Sequence, residues 1–170
     1  MLKRSLVVVA LIVAGFAAGI ALHTAFTQGQ TVFAGKPPSN LGVREGELAP
    51  PRRTPNNVSS QAPKEDAEHY IAPLGFRGNG AEALAALRKV IDAMERTRIV
   101  RHEGDYLYAE FRSRLMGYVD DVEFVVSEKE NVIHVRSASR RGRRDYGVNR
   151  ARVEAVRRRF EAAQGQAVKV

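Results

Sequence analysis

Apolar and polar side chains alternate in short runs along residues 97–140, and only hairpin-length turns separate the runs. In the clearest run, Leu107, Ala109 and Phe111 would lie on one face of a strand and the intervening residues on the other. Because no crossover helix fits between the runs, neighbouring strands are expected to pair antiparallel. The predicted strands are residues 97–102, the run from Tyr106 that continues to Leu115, the run of Val122, Phe124 and Val126, and the run of Ile133 and Val135.

Helical periodicity flanks this region on both sides. Upstream, Asn79 is a candidate N-cap, and an apolar stripe follows on a helix from about Ala81 to Arg96. Downstream, a second helix starting at about Asn149 buries apolar residues at helical spacing. We therefore predict an α+β fold, in which a four-stranded antiparallel sheet carries two helices on one face. An N-terminal transmembrane or signal segment precedes this fold.

Residues 1–34 have the composition of a membrane anchor or signal peptide. Lys3 and Arg4 precede an uncharged run, and residues 5–26 are long enough to cross a bilayer core at about 1.5 Å per residue. The basic residues would keep the short leading end in the cytoplasm. We favour a bacterial inner-membrane protein with one span over residues 5–26 and its domain in the periplasm. A signal peptide cleaved near Ala34, which would release the domain into the periplasm, stays open.

The rest of the chain divides by composition. Residues 35–54 are proline-rich and typical of an extended linker, residues 55–164 would form a single α+β domain, and residues 165–170 would form a tail. The chain has no cysteine, which excludes disulfides, cysteine-ligated metals and thiol nucleophiles. Gly15 and Gly19 have the spacing that lets two membrane helices pack closely, so a dimer through them is one possible oligomeric state.

Positive charge is concentrated near the C-terminus. Residues 136–159 hold ten arginines against two acids, so this segment alone carries a charge equal to the +8 of the whole chain. Arginines in the first turn of the last helix, with Asn149 as its candidate cap, oppose the helix dipole and are suited to an anion. The negative charge that pairs with these arginines is either an internal carboxylate or an external anion, and both possibilities stay open. The predicted ligand-binding patch consists of Asn56, Ser59, Asp121, Glu123, Arg136, Ser137, Arg140, Asp145, Asn149 and Arg150.

Several kinds of chemistry are not favoured, and we predict no metal and no cofactor. Asp121 and Glu123 share a strand face, but the neighbouring arginines lower the affinity for cations and no third ligand follows at a suitable spacing. His134 alternates away from Ser137 and Ser139, which argues against a serine hydrolase. A nucleic-acid partner is not expected for an exported domain, whereas an anionic lipid headgroup or a protein partner is.

The motifs of the chain resemble, in order, those of the domain of unknown function family 1499. The resemblance covers about Pro55 to Phe160, and the family usually shows cysteine where this chain has Asn57. It implies a bacterial or plastid protein, often with an N-terminal signal or anchor, and implies no established activity. The motifs are PNNVSS at 55–60, HYIAP at 69–73, YLYAEF at 106–111, GYVDDVEF at 117–124, RSASR at 136–140 and DYGVNRARVE at 145–154.

Together these features predict a membrane-anchored extracytoplasmic module that binds an anionic ligand, a lipid headgroup or a protein partner through its Arg/Asp-rich patch. Two alternatives stay open. One is an enzyme of unknown reaction that uses the polar face of the sheet as a groove. The other is a structural envelope protein.

Overall fold

The protein is described by a computed structural model that covers residues 33–167. One antiparallel sheet has the strand order β1-β6-β5-β4-β3, and β2 also pairs with β6. Two helices accompany the sheet. The elements are β1 (Asn57–Ser59), β2 (Leu74–Gly75), α1 (Gly80–Asp92), β3 (Thr97–Glu103), β4 (Tyr106–Arg112), β5 (Val119–Ser127), β6 (Val132–Ser139) and α2 (Val148–Ala167).

The predicted α+β class with an antiparallel sheet and two helices is confirmed, but the prediction of four strands is wrong. The sheet has six, because β1 and β2 also pair with β6. These strands are three and two residues long. Runs this short cannot display the alternation by which strands are recognised in a sequence.

Both helices cover the apolar face of the sheet. Leu107, Phe124 and Val135 from the central strands form one core with Leu87 of α1 and Phe160 of α2, and all five are buried. The strand alternation and the helical stripes identified from the sequence therefore meet in a single hydrophobic layer.

Two predicted boundaries are wrong by a few residues. Helix α1 begins after Asn79, whose side chain accepts the N–H of Glu82, but it ends at Asp92. There the Thr97 hydroxyl donates to the carbonyl oxygens of Ile91 and Met94 at 2.9 and 2.8 Å, which links the start of β3 to the helix end. Leu115 does not continue β4, because the strand ends at Arg112 and a turn places Leu115 almost fully in solvent.

The predicted linker contacts the sheet. Leu41 and Leu48 pack against Tyr106, Tyr108 and Val125 on the face opposite the helices. The N–H of Leu48 also donates to Oε1 of Gln61 at 2.9 Å. An extended segment without regular strands thus covers the second face of the sheet, which we call the N-terminal cover and define as residues 35–52.

The predicted span over residues 5–26 and its Gly15–Gly19 pair lie outside the described residues. Within residues 33–167, no helix combines the length and the apolar character that a membrane span requires.

The close approach of α1 to the sheet at Gly80 gives a prediction for stability. A Cβ at this position would lie 2.5 Å from Cγ1 of Val126 and 2.4 Å from Oε1 of Glu128, which also accepts the Gly80 N–H. We expect Gly80→Ala to lower the thermal midpoint of unfolding, although alanine favours a helix by about 1 kcal/mol over glycine. The control is Gly165→Ala, where nothing lies within 4 Å of an added Cβ. Circular dichroism melting that shows both variants equally stabilised would contradict this packing.

Candidate functional site

Charged and phenolic side chains lie side by side on the covered face of the sheet. Strand β5 places Asp121 and Glu123 on this face because residues two apart share a face, and the strand register sets Glu123 opposite Arg136. Despite their polarity they are buried, with Glu123 0 % and Arg136 1 % exposed. Charges are rarely buried in this way unless they are paired. The covered-face network consists of Tyr106, Tyr108, Glu110, Asp121, Glu123, Arg136 and Arg140.

Glu123 is the centre of one half of this network. Its carboxylate accepts from Nη1 of Arg136 and from the Tyr106 hydroxyl, both at 2.8 Å. It also accepts the backbone N–H of Gly42 at 2.7 Å. The N-terminal cover is therefore joined directly to the ion pair beneath it.

Arg140 is the centre of the other half. Its guanidinium donates to both oxygens of Asp121, at 2.7–3.0 Å, and to Oε1 of Glu110 at 2.5 Å. The Tyr108 hydroxyl donates to Asp121 at 2.6 Å. Glu110 also accepts two hydrogen bonds from a second guanidinium, that of Arg98, at the sheet surface. Such charge-assisted hydrogen bonds are the strong ones in a protein interior.

These surroundings shift several pKa values. Burial raises the pKa of Tyr106 and Tyr108 above the usual value for a phenol, and the carboxylates of Glu123 and Asp121 raise them further. Both hydroxyls therefore stay protonated as donors. Burial opposes ionisation of Glu110, but hydrogen bonds and charge from Arg140 and Arg98 outweigh it and lower the pKa of the carboxyl.

A small cavity of about 50 Å³ lies between the covered face and the N-terminal cover. Arg136 lines it, and its Nε is a buried donor without a hydrogen-bond partner among the described residues. Arg52 lines it too, and its guanidinium donates to the carbonyl oxygen of Ser139 at 2.6 Å rather than to a carboxylate. Burial lowers the pKa of Arg52, and the charge of Arg136 lowers it further. The full lining is Lys36, Pro38, Asn40, Arg52, Asp121, Arg136, Ala138, Ser139 and Arg140.

A second polar cluster lies on the helix side of the sheet. The Asn149 side chain donates to the Asn56 carbonyl at 3.0 Å and accepts from the Ser137 hydroxyl at 2.5 Å. Its backbone N–H and its side-chain amide both donate to Asp145. Asp145, not Asn149, therefore caps α2, and the prediction of Asn149 as the cap is wrong. Aspartate and asparagine side chains both accept backbone N–H groups at a helix start.

The predicted patch is thus divided by the sheet. Asp121, Glu123, Arg136 and Arg140 meet on the covered face, whereas the members of the second cluster meet on the helix side. Of the first-turn arginines of α2, Arg152 pairs with the internal carboxylate of Asp120 and also donates to the side-chain oxygen of Asn149 at 2.7 Å, which joins it to the second cluster. The two remaining predicted members are Arg150, which donates to the carbonyls of Ala67 and Glu68, and Ser59, which is buried opposite Arg136 in β1.

Comparison with protein families gives a match. The family described as "Protein of unknown function (DUF1499)" matches residues 47–160. This range is more than half of the chain and contains β1 to β6 and most of α2. The chain belongs to the DUF1499 family. No curated protein and no solved structure matches it.

Asn57 occupies the position where the resemblance to DUF1499 implies cysteine. It is fully buried, and its side-chain oxygen accepts the N–H of Arg52 at 3.0 Å. Its amide donates to the carbonyls of Arg52 and Thr54 at 3.1 and 2.5 Å. A thiol has neither the two donors nor the acceptor geometry for these bonds. In this member of DUF1499, Asn57 therefore fixes the end of the N-terminal cover that carries Arg52.

Sequence reasoning missed two features of this DUF1499 domain. Arg52 was assigned to the linker and so was not considered as part of the site. Ser60 was not paired with His134, although its hydroxyl lies 3.1 Å from Nδ1 of the imidazole, whose Nε2 contacts Glu130 at 2.8 Å. Strand β1 was not predicted, and only its pairing with β6 brings Ser60 to His134.

The buried pair of Glu123 and Arg136 gives a prediction for stability. We expect Glu123→Leu to lower the free energy of unfolding by about 3–5 kcal/mol, because Arg136 keeps a buried charge without its partner. Adding Arg136→Met should recover a substantial part of the loss. Urea unfolding measures both. As a control, Glu95→Ala removes a pair at the surface and should cost at most about 0.5 kcal/mol. Equal losses for Glu123→Leu and Glu95→Ala would contradict the buried network.

Glu110 gives a prediction for pH. Its folded pKa is lower than its unfolded pKa, so its contribution to stability is full above the unfolded value of about 4.3 and is lost as pH falls through the folded value. We expect the thermal midpoint to decrease as the pH is lowered below about 4. In Glu110→Gln this fall should be shallower, since that carboxyl no longer titrates. Identical pH profiles for the two proteins would show that Glu110 does not contribute.

Proposed function

We propose that this protein is a membrane-anchored extracytoplasmic module that binds a small inorganic anion in the arginine-lined cavity. The observation that carries the proposal is the buried Nε of Arg136, an N–H donor without a partner among the described residues, in a residue that lines a small, partly open cavity. A buried donor left unsatisfied costs about 1–3 kcal/mol, and more when it is charged. An anion in the cavity would satisfy it.

The charge balance around the cavity favours an anion over a water molecule. Three carboxylates, those of Glu110, Asp121 and Glu123, accept from three guanidiniums, those of Arg98, Arg136 and Arg140. Arg52 is a fourth guanidinium, and it pairs with no carboxylate of residues 33–167. Arg52 and Lys36 both line the cavity and are exposed to solvent, so the lining carries positive charge that a bound anion would neutralise.

The size of the cavity is sufficient for a small ion. About 10–15 Å³ of such cavity volume holds one water molecule, so a cavity of about 50 Å³ has room for an anion of the size of chloride. Halide ions are therefore the first ligands to test.

The closed geometry supports binding rather than catalysis. The N-terminal cover lies over the acids and phenols of the face, and these groups are occupied by one another. A general acid or base has to reach its substrate within hydrogen-bond distance. The anchored, periplasmic location is part of the proposal because the uncharged segment 5–26 precedes this domain with basic residues on its short leading end.

The test uses the purified full chain in detergent. We expect sodium chloride and sodium bromide to raise the thermal midpoint saturably at constant ionic strength, relative to sodium gluconate, because a ligand that binds the folded state stabilises it. Arg52→Met should lose most of this dependence. The matched control is Arg53→Met, which removes the same charge from an exposed neighbour and should keep it.

A crystal grown in bromide locates the ion independently of stability. Anomalous scattering should place bromide within hydrogen-bond distance of Nε of Arg136. Water alone in the cavity, or an equal halide response in Arg52→Met and the unmodified chain, would overturn the proposal.

A further inference from the structure

Three segments meet at one end of the sheet. The β4–β5 turn, residues 113–118, adjoins the β6–α2 loop, because the Arg140 N–H donates to the Val119 carbonyl at 3.2 Å. The start of the described chain lies there too, with the rings of Phe33 and Tyr118 5.4 Å apart. Gly35 approaches Arg140 and Arg141 so closely that a Cβ on it would lie 3.1 Å from Cβ of Arg140. We call this surface the basic end and define it as residues 33–40, 113–118 and 140–148.

The basic end gathers most of the exposed large apolar side chains of residues 33–167. Leu115 is 91 % exposed and Tyr146 is 94 % exposed. Only Val43 and Val100 of the described exposed large hydrophobics lie elsewhere. An apolar patch of this kind, rimmed by polar residues, is typical of a protein or membrane contact. Its members are Phe33, Leu115, Met116, Tyr118, Tyr146 and Val148.

Arginines surround these apolar side chains. The only acid in the three segments is Asp145, and its carboxylate accepts the backbone N–H groups of Gly147 and Asn149 at the start of α2. The other end of the sheet has the opposite sign, because turns 103–105 and 128–131 hold four acids against Lys129. The loops at the two ends of the sheet named here therefore carry opposite charge. The exposed bases of the basic end are Lys36, Arg114, Arg141, Arg143 and Arg144.

The chain itself restricts how far this end can be from a bilayer. Six residues lie between Phe26, the end of the predicted span, and Phe33, so the chain takes seven residue steps from one to the other. At about 3.3–3.6 Å per residue they reach at most about 25 Å. A domain anchored through residues 5–26 would thus present its basic end first to the membrane from which it emerges.

We propose that the basic end docks on the surface of an anionic bilayer, with Leu115, Met116 and Tyr146 inserted among the headgroups and the arginines on lipid phosphates. Aliphatic and aromatic side chains combined with a basic rim are the elements by which proteins lie on such surfaces. The proposal rests on the anchor of the proposed function, but it does not require the anion in the cavity.

The chain contains neither tryptophan nor cysteine, so one introduced tryptophan is a unique reporter. The full chain carrying Met116→Trp is reconstituted in vesicles of phosphatidylcholine with or without phosphatidylglycerol, both with brominated acyl chains. We expect a blue shift and severalfold quenching that depend on phosphatidylglycerol. A reporter introduced by Lys129→Trp, at the opposite end of the sheet, should show neither.

Charge variants separate docking from tethering. A variant of the reporter chain that combines Arg114→Ala, Arg143→Ala and Arg144→Ala loses arginines that would contact lipid phosphates. It should lose the quenching at position 116. The matched control combines Arg88→Ala, Arg158→Ala and Arg159→Ala, which removes the same charge from exposed positions on the helices and should retain it.

Alkaline extraction of the vesicles tests the anchor separately. A chain that resists extraction while the reporter at position 116 stays unquenched would overturn docking and leave the anchor standing. A chain that is extracted, but whose reporter is quenched when phosphatidylglycerol vesicles are added, would refute the anchor and support docking. In detergent, acrylamide quenching of the tryptophan at position 116 could instead weaken as the protein concentration rises, independently of lipid. That result would assign the surface to a second copy of the chain and overturn the proposal.

Discussion

The burial of Glu123 with Arg136, and of Asp121 and Glu110 with Arg140, is the constraint on which the rest of this structure depends. An antiparallel sheet ordinarily packs one face on a core and exposes the other. Here the second face carries charges that are paired, and the pairing allows a further layer of chain to cover them. The N-terminal cover completes that pairing, since the Gly42 N–H supplies one of the bonds to Glu123. Sheet, ion pairs and cover therefore form one unit.

The apolar part of the fold could be predicted from the sequence because its signals are local. The alternation around Leu107 and the helical stripes require only a few neighbouring residues to be recognised, and both proved to face the same core. The strands β1 and β2 could not be predicted, because they exist only through pairing with β6, more than fifty residues further along the chain. Leu115 was misplaced because alternation alone does not mark where a strand gives way to a turn.

The site was predicted only in part for a related reason. Alternation correctly placed Asp121 with Glu123 and Arg136 with Arg140 on shared faces, and cross-strand register then joined them. It could not indicate that the face is covered, because proline-rich residues such as those near Arg52 are as typical of a linker as of an irregular covering segment. Arg52 and the cavity beneath it became visible only through that long-range packing. The ten residues of the patch looked like one set because the sequence does not show on which side of the sheet the loop residues Asn56 and Asp145 lie.

The N-terminal cover also has a mechanical consequence. It is the first part of the described chain, so a pull on residue 33 acts on the cover before it reaches any strand. The load would fall in turn on the Gly35 carbonyl, which accepts from Arg140, and on the Gly42 N–H, which donates to Glu123. These two bonds follow one another along the cover, so they would break in sequence, starting from the N-terminal side. Tension at the N-terminus would therefore expose the buried charges while the helices and the apolar core stayed folded.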